Sequence, residues 1–374
     1  MPYRRPAWVE VDTGAIERNV RTLRGLTPTV TRFMAVVKAD GYGHGALEAA
    51  RAALAAGADR LGVATVEEAL GLREAGVAVP LHVLAEPPAD AAPLLVHDRI
   101  IATVASQRFT EALGAAALAA GETVPVHLKI DTGMNRIGVR ADEIAVAAPW
   151  LRRTDGIHVE GAFTHFATAD TPGDWEFGRQ VERFTEALDV LRTEGVRPAI
   201  RHAANSAATV LHPHTHFDMV RCGIAIYGLH PSTATRARVA LEPAMRVKAL
   251  VSAVKQIGLG EGVSYGLTWH AAAPTVIATL PLGYADGIHR VLSNRMEVLI
   301  GGARCAQVGR VCMDQFMVEV PPGVHVRPGD EAVVVGAQGG EEVGMDDLAR
   351  LAGTINYEMA CGFALRMERR YVRS

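Results

Sequence analysis

The sequence predicts an α/β protein, an N-terminal (β/α)8 TIM-like barrel followed by a C-terminal all-β domain. Three observations carry this reading. Between about Phe33 and Tyr227, eight short apolar runs alternate with mostly longer amphipathic ones, as the strands and helices of a parallel barrel do. Beyond Leu241 the pattern changes to β-rich runs separated by Gly and Pro clusters. No Gly-x-Gly-x-x-Gly follows the first strand, which weakens the rival fold, a doubly wound sheet that binds a dinucleotide. The chain's 374 residues suit two domains. We divide it into residues 1–12, a strand that pairs with the β domain; residues 13–240, the barrel; and residues 241–374, the β domain.

The eight barrel strands are expected at Phe33–Val37, Arg60–Ala64, Leu81–Leu84, Ile100–Val104, Val124–Ile130, Ile157–Phe163, Ile200–Ala203 and Met219–Ile226. Helices are expected between most of them, at Ala46–Ala56, Val66–Ala75, Gln107–Ala120 and Phe177–Glu194. Gly57, Gly76, Gly121 and Gly195 stand where a helix stop belongs. In the second domain the strand candidates are Met245–Lys255, Thr275–Leu280, Glu297–Ile300, Phe316–Val320 and Ala332–Val335, interrupted by one helix, Met345–Ala352. Ala7–Val11 alternates apolar and polar residues like a strand. The basic end, with Arg366, Arg369, Arg370 and Arg373, reads as a solvated strand or tail, because the aromatic interleaving of a nucleic-acid site is absent.

Composition narrows the chemistry. Only four of the 38 basic residues are lysine, namely Lys38, Lys129, Lys248 and Lys255. Arginine stays protonated near neutral pH, so any amine nucleophile must be one of these four. The net charge of -3 gives no field that favours nucleic acid or an anionic membrane. No apolar run reaches the ~20 residues of a membrane helix, and the first residues lack the apolar segment of a signal peptide. The four cysteines show neither metal spacing nor disulfide density. A cytoplasmic protein without a metal site is the expectation.

Barrel enzymes carry their reactive groups at the C-terminal ends of the strands. Strand one ends Val36-Val37-Lys38 and continues Ala39-Asp40-Gly41-Tyr42-Gly43-His44. Lys38 therefore stands where an apolar strand opens into the barrel mouth, and desolvation there would make it a usable amine for a Schiff base with an aldehyde cofactor. In strand five the alternation puts His127, Lys129 and Asp131 on the face opposite Val126, Leu128 and Ile130, so Lys129 points into the barrel. Its buried charge would be answered by Asp131, or by reaction of the neutral amine with carbon dioxide to give an anionic carbamate. Ser206, Gly223 and nearby amides are suited to a phosphate.

These segments together resemble one family, the alanine racemases. The resemblance lies in AVVKADGYGHG (residues 35–45), HLKIDTGMNRIG (127–138), HAANSAA (202–208), DMVRCGIAIYGL (218–229), VSYG (263–266), LPLGYADG (280–287), GRVCMDQ (309–315) and INYE (355–358). It is collinear over almost the whole chain. It implies a barrel that binds pyridoxal 5'-phosphate through Lys38, with Tyr42, Ser206, Gly223, Ile224 and Tyr357 at the phosphate. His165 would lie against the ring, with Asn205 nearby and Arg221 facing the pyridine nitrogen. Arg136, held by carbamylated Lys129, would orient the substrate or cofactor oxygens. Met313 would bind the substrate carboxylate, Tyr284 would narrow the entrance, and Asp314 would give support.

The resemblance further implies a two-base racemisation of L- and D-alanine, with Lys38 on one face of Cα and Tyr265 on the other. Tyr265 and Met313 would come from the second subunit, which makes the enzyme a homodimer with shared active sites. A hydrogen-bond chain from Tyr265 through His165 to Arg221 would favour the phenolate. The product would feed cell-wall synthesis. Three other readings stand beside this one: a racemase of serine or of broad specificity, a barrel-fold decarboxylase of basic amino acids, and a single-domain protein of cofactor homeostasis. Arg221 argues against the second, and the β domain with Tyr265 argues against the third.

Overall fold

A computed structural model describes residues 5–374, which divide into two compact units. The first consists of Ala15–Gly41 and Ala46–Glu242. Its strands are β1 (Arg32–Val36), β2 (Arg60–Val63), β3 (Leu81–Val83), β4 (Ile101–Val104), β5 (Val124–Asp131), β6 (Ile157–Phe163), β7 (Ile200–His202) and β8 (Met219–Cys222). All are parallel, in the spatial order β8-β1-β2-β3-β4-β5-β6-β7. Backbone bonds from Asp218 N to Arg201 O (3.0 Å) and from Arg221 N to Ala204 O (2.9 Å) bring the last two strands together, so the ring is nearly closed.

The helices between the strands start on local caps. Thr65 and Glu68 form a capping box at Val66–Glu74, Ser106 caps Gln107–Ala119, and Asp174 caps Trp175–Thr193. Each such cap is worth about 1 kcal/mol. Gly57, Gly76, Gly121 and Gly195 take positive φ just past the helix ends. Strand eight is shorter than expected. It stops at Cys222, because Gly223 (φ -107, ψ -100) leaves the extended region and Ile224–Tyr227 coil into a 3-10 turn. The helix Ile144–Arg153 has no counterpart in the sequence reading, because it carries an internal Pro149 that signals a break.

The second unit comprises residues 5–14, Tyr42–Gly45 and Pro243–Ser374. Its sheet runs in the order Ala253–Ile257, Thr275–Leu280, Phe316–Val320, Ala303–Val308, Glu297–Ile300, Glu331–Gln338, Met245–Leu250, Ala7–Asp12, Glu368–Val372. Ala7–Asp12 pairs antiparallel with Met245–Leu250 and parallel with Glu368–Val372. The single strand expected at Met245–Lys255 is two, interrupted at Val251 and Ser252, and the halves lie at different places in the sheet. The basic end is an edge strand, on which Arg370 covers the Trp8 ring at 4.1 Å.

Inside this unit, fully buried Asp286 accepts hydrogen bonds from Arg5, from Arg366 (2.7 Å) and from Gly283 N (2.9 Å). Burial raises its pKa, but the hydrogen bonds from the two guanidinium groups and the Gly283 amide outweigh that and hold the carboxyl below its usual range. A carboxylate depressed in this way stabilises the fold above its unfolded pKa of ~3.9, and the contribution is lost as pH falls through the folded value. Asp286→Asn should therefore lower stability by about 1–3 kcal/mol at pH 7. Urea titrations should show the deficit shrinking towards acid pH.

Candidate active site

Lys38 follows β1 and opens a turn in which Ala39, Asp40, Gly41, Tyr42 and Gly43 all have φ between 51° and 81°. For a residue with a Cβ this left-handed conformation costs about 1–2 kcal/mol. Specific bonds offset the cost. Glu68 accepts from Ala39 N (2.6 Å) and Ala64 N (2.7 Å), Asp40 Oδ1 accepts from Ala46 N (2.9 Å), and Gly41 N donates to Val37 O (2.9 Å). Gly43 is obligatory, because a Cβ there would run into the carbonyl oxygen of Ala360. The turn reverses the chain within a few residues and fixes the position from which Lys38 projects.

His165 lies within electrostatic reach of Arg221, Lys129, Arg136 and Lys38, so the barrel brings these five predicted residues together. Lys129 and Arg221 are buried on β5 and β8. Lys129 Nζ lies 4.4 Å from the Phe163 ring centre, and Arg221 Cζ lies 5.4 Å from the same ring. Among the described residues Asp131 and Lys129 form no ion pair; Asp131 Oδ1 accepts instead from Gly133 N (2.9 Å) and Asn135 N (3.1 Å), and its charge offsets the other cations at Lys129 only in part. Among the described residues, Lys129, Arg136 and Arg221 form no ion pair with a carboxylate. Burial, then the charges of Arg221 and Arg136, pull the Lys129 pKa well below its ordinary value. Burial, with Arg221 foremost among the cations, does the same to His165.

Arg221 donates through Nη1 to His202 Nδ1 (3.1 Å) and through Nη2 to Thr164 O (2.7 Å) and Ala203 O (3.1 Å). Burial pushes its pKa down to about 9. Among the described residues no hydrogen bond joins His165 to Arg221, whose Nη1 and Nη2 are directed at His202 and the two carbonyls. Next to it, Ser206 Oγ accepts from Gly223 N at 3.0 Å, which draws the start of helix Ser206–Leu211 against the break that ends β8. Asn205 caps that helix through Ala208 N (3.0 Å), and Ile224 is buried behind it.

In the β unit, Tyr42 and Tyr357 face each other with ring centres 6.2 Å apart. Tyr265 and Met313 line one surface depression together with Ser264, Cys312 and Asp314. Tyr265 is 72% exposed, Met313 54% and Tyr284 42%. Two backbone bonds, Tyr284 N to Cys312 O and Ala285 N to Met313 O (both 3.0 Å), join the Tyr284 segment to the Met313 loop. Gly283 allows the approach, since a Cβ would overlap both carbonyl oxygens. Asp314 accepts from Arg366 at 2.8 Å.

Two carboxylates escaped the sequence reading. Glu68 announces itself by the Thr-x-x-Glu spacing of its capping box, but its reach to Ala39 is tertiary. Glu160, on β6, carries no motif.

Lys129, Arg136 and Arg221, which among the described residues form no ion pair with a carboxylate, fit the phosphorylated cofactor and anionic substrate that the motifs suggest, as does the junction of Ser206 with Gly223.

Comparison with known proteins gives the same reading. Residues 11–231 match the model of the alanine racemase N-terminal domain, and residues 244–371 that of the C-terminal domain. The chain is 48% identical to the alanine racemase of Symbiobacterium thermophilum, covering 98% of this chain and 97% of the relative. It is 47% identical to that of Mycobacterium tuberculosis, covering 96% and 94%. Among solved structures it resembles alanine racemase from Bacillus anthracis with bound L-Ala-P (TM-score 0.94, 38% identity, covering 100% and 96%). It also resembles the enzyme from the D-cycloserine producer Streptomyces lavendulae (TM-score 0.94, 39% identity, covering 100% and 98%). With a cationic barrel mouth around Lys38 and full-length similarity at this level, the chain belongs to the alanine racemase family and is an isomerase.

Proposed function

We propose that the protein interconverts L- and D-alanine with pyridoxal 5'-phosphate, as a homodimer whose two active sites each use residues of both subunits. The observation that carries this is Lys38, an amine at the end of an apolar strand, held on a strained turn beside Lys129, Arg136 and Arg221, which among the described residues form no ion pair with a carboxylate. When bound, the cofactor would supply an electron sink that acidifies Cα of the amino acid. Lys38 would anchor it. Tyr42, Ser206, Gly223, Ile224 and Tyr357 would hold its phosphate, and His165 and Asn205 would flank its ring.

Racemisation requires removing the Cα proton on one face and returning one on the other. Lys38 and Tyr265 would serve the two faces. A free lysine amine and a free phenol both titrate at about 10, too high for efficient base catalysis at neutral pH, so the site has to assist both groups. Tyr265 is too exposed in the single chain to work in a dry site, which supports its completing the site of a second copy. Met313 shares its depression and would present a backbone amide to the substrate carboxylate, while Tyr284 would limit side-chain size.

Arg136 would orient the anionic groups. Lys129, whose amine is favoured in its neutral form, would add carbon dioxide and release a proton to solvent to become a carbamate, an anion facing the charges of Arg136 and Arg221. Arg221 has donors and no acceptor. A heteroaromatic nitrogen held by it remains an acceptor, which limits electron withdrawal and favours reprotonation at Cα over transamination. No helix among the described residues is long and apolar enough to cross a membrane; the D-alanine would be made in the cytoplasm and would supply cell-wall synthesis.

A chiral assay of the purified protein with both alanine enantiomers, with serine alongside and with and without added pyridoxal phosphate, tests the reading. Cofactor-dependent racemisation of alanine in preference to serine is expected, and no Cα exchange with alanine would reject it. Co-expressed Lys38→Ala and Tyr265→Phe chains, each inactive alone, should regain about a quarter of native activity, since half of random dimers carry one intact site of two. Arg221→Glu should slow racemisation and raise the share of transamination, read by pyruvate release.

A further inference from the structure

Below Arg221 the barrel core holds polar residues that the reaction as described does not use. His202 receives Arg221 Nη1 on its Nδ1 at 3.1 Å. Its Nε2 lies 2.7 Å from Nδ1 of His127, and His127 Nε2 lies 2.9 Å from Glu160 Oε2. Glu160 in turn takes both amino groups of Arg60, at 2.7 and 2.8 Å. Arg60 is the first residue of β2, so the row runs from the catalytic mouth to the N-terminal side of the barrel.

The chemistry of the groups fixes every proton. Arginine only donates, so His202 Nδ1 accepts and its Nε2 carries the proton. That proton points at His127 Nδ1, so His127 is also protonated on Nε2 and donates to Glu160. Both imidazoles are satisfied as neutral rings, and burial lowers the pKa of each. Burial raises that of Glu160, but the bonds from Arg60 and His127 outweigh it and keep the carboxyl ionised. His82 packs on His127 with ring centres 4.6 Å apart and hydrogen-bonds Thr103 through Nε2. The three imidazoles are close enough together for a metal ion, but His202 has both nitrogens engaged and the lone pair of His127 Nδ1 is used. They therefore read as a relay rather than a ligand set.

The backbone is adapted to this row. The pairing of β5 with β6 slips between Val126 and His127, matching Val126 to Val159 and His127 to Gly161, so that Glu160 is the extra residue of a bulge. The bulge lets Glu160 and Gly161 both face the barrel interior, which regular alternation would not allow. Gly161 leaves room for the imidazole, because a Cβ there would overlap the His127 ring.

We propose that Glu160 and His127 are positioning residues for the racemisation, fixing the orientation and the charge of Arg221 through His202 from the far side of the barrel. The proposal rests on the racemase reading. It gives the buried guanidinium, which lacks a carboxylate of its own, a counter-charge delivered through two neutral rings. Glu160→Gln removes that charge while keeping the shape of the side chain.

The test uses the purified full chain with its cofactor, labelled with 15N at its 14 histidines. Long-range 1H–15N correlation spectra show which ring nitrogen bears the proton. His127 and His202 should both be neutral and protonated on Nε2, and Nδ1 protonation of either overturns the proposal without any variant. In Glu160→Gln the His202 resonances should shift although the mutated residue does not touch that ring, whereas Thr103→Val, which acts on His82, should leave them in place. The kcat for alanine should fall roughly tenfold, the range seen when an outer hydrogen-bond partner is removed, with KM little changed. A fall in kcat without movement of His202 would mark a structural role and overturn the proposal, as would movement without a fall. Proton positions in the native protein are read whatever its substrate, so failure of the relay and failure of the racemase reading are separate results.

Discussion

Positive charge that the protein does not neutralise governs the barrel mouth. Lys129 and Arg221 are buried, Arg136 acts on Lys129, and the nearest acid, Asp131, is committed to backbone amides. Taking such charges out of water costs several kcal/mol per ion. The barrel meets that cost by a lowered pKa at Lys129, by main-chain carbonyls on Arg221, and by leaving Arg136 exposed. The unmet remainder is what a phosphate and a carboxylate would answer. Ligands of that charge would bind the folded barrel and not the unfolded chain, and so would raise its stability.

A second constraint is conformational. The left-handed turn after Lys38 holds non-glycine residues where L-amino acids are disfavoured, and it persists because Glu68 and Asp40 satisfy its amides. Strain of this kind is found where a side chain must be aimed rather than merely placed. In the β unit a comparable precision comes from close packing, with Gly283 pressed against the Met313 loop and joining Tyr284 to it.

Much of the barrel was legible because each strand is a short apolar run and most helices between the strands have a cap or a glycine stop. The strand-end residues followed from the same pattern, including Lys38, Lys129 and Arg221. Three features were not legible, for physical reasons. The handedness of the turn at residues 39–43 depends on tertiary acceptors, so only its glycines hinted at it. The sequence leaves the partner of Lys129 open between an acid and a carbamate, because the two amide bonds to Asp131 Oδ1 depend on how the loop after β5 folds. Tyr265, Met313 and Tyr284 lie in irregular segments, where periodicity carries no information, and only family resemblance singled them out.

The bulge on β6 also sets a limit on how this strand can vary. It places Glu160 and Gly161 in succession towards the interior, and the alternation then carries on to Phe163, whose ring lies parallel to His202 at 4.6 Å. Deleting one residue here would restore regular alternation, but it would shift either Glu160 or Phe163 to the outer face. A single-residue deletion would thus cost either the far end of the relay or the ring beneath both buried cations. The residue count of β6 is therefore set by which way its side chains face, a constraint that a surface loop does not carry.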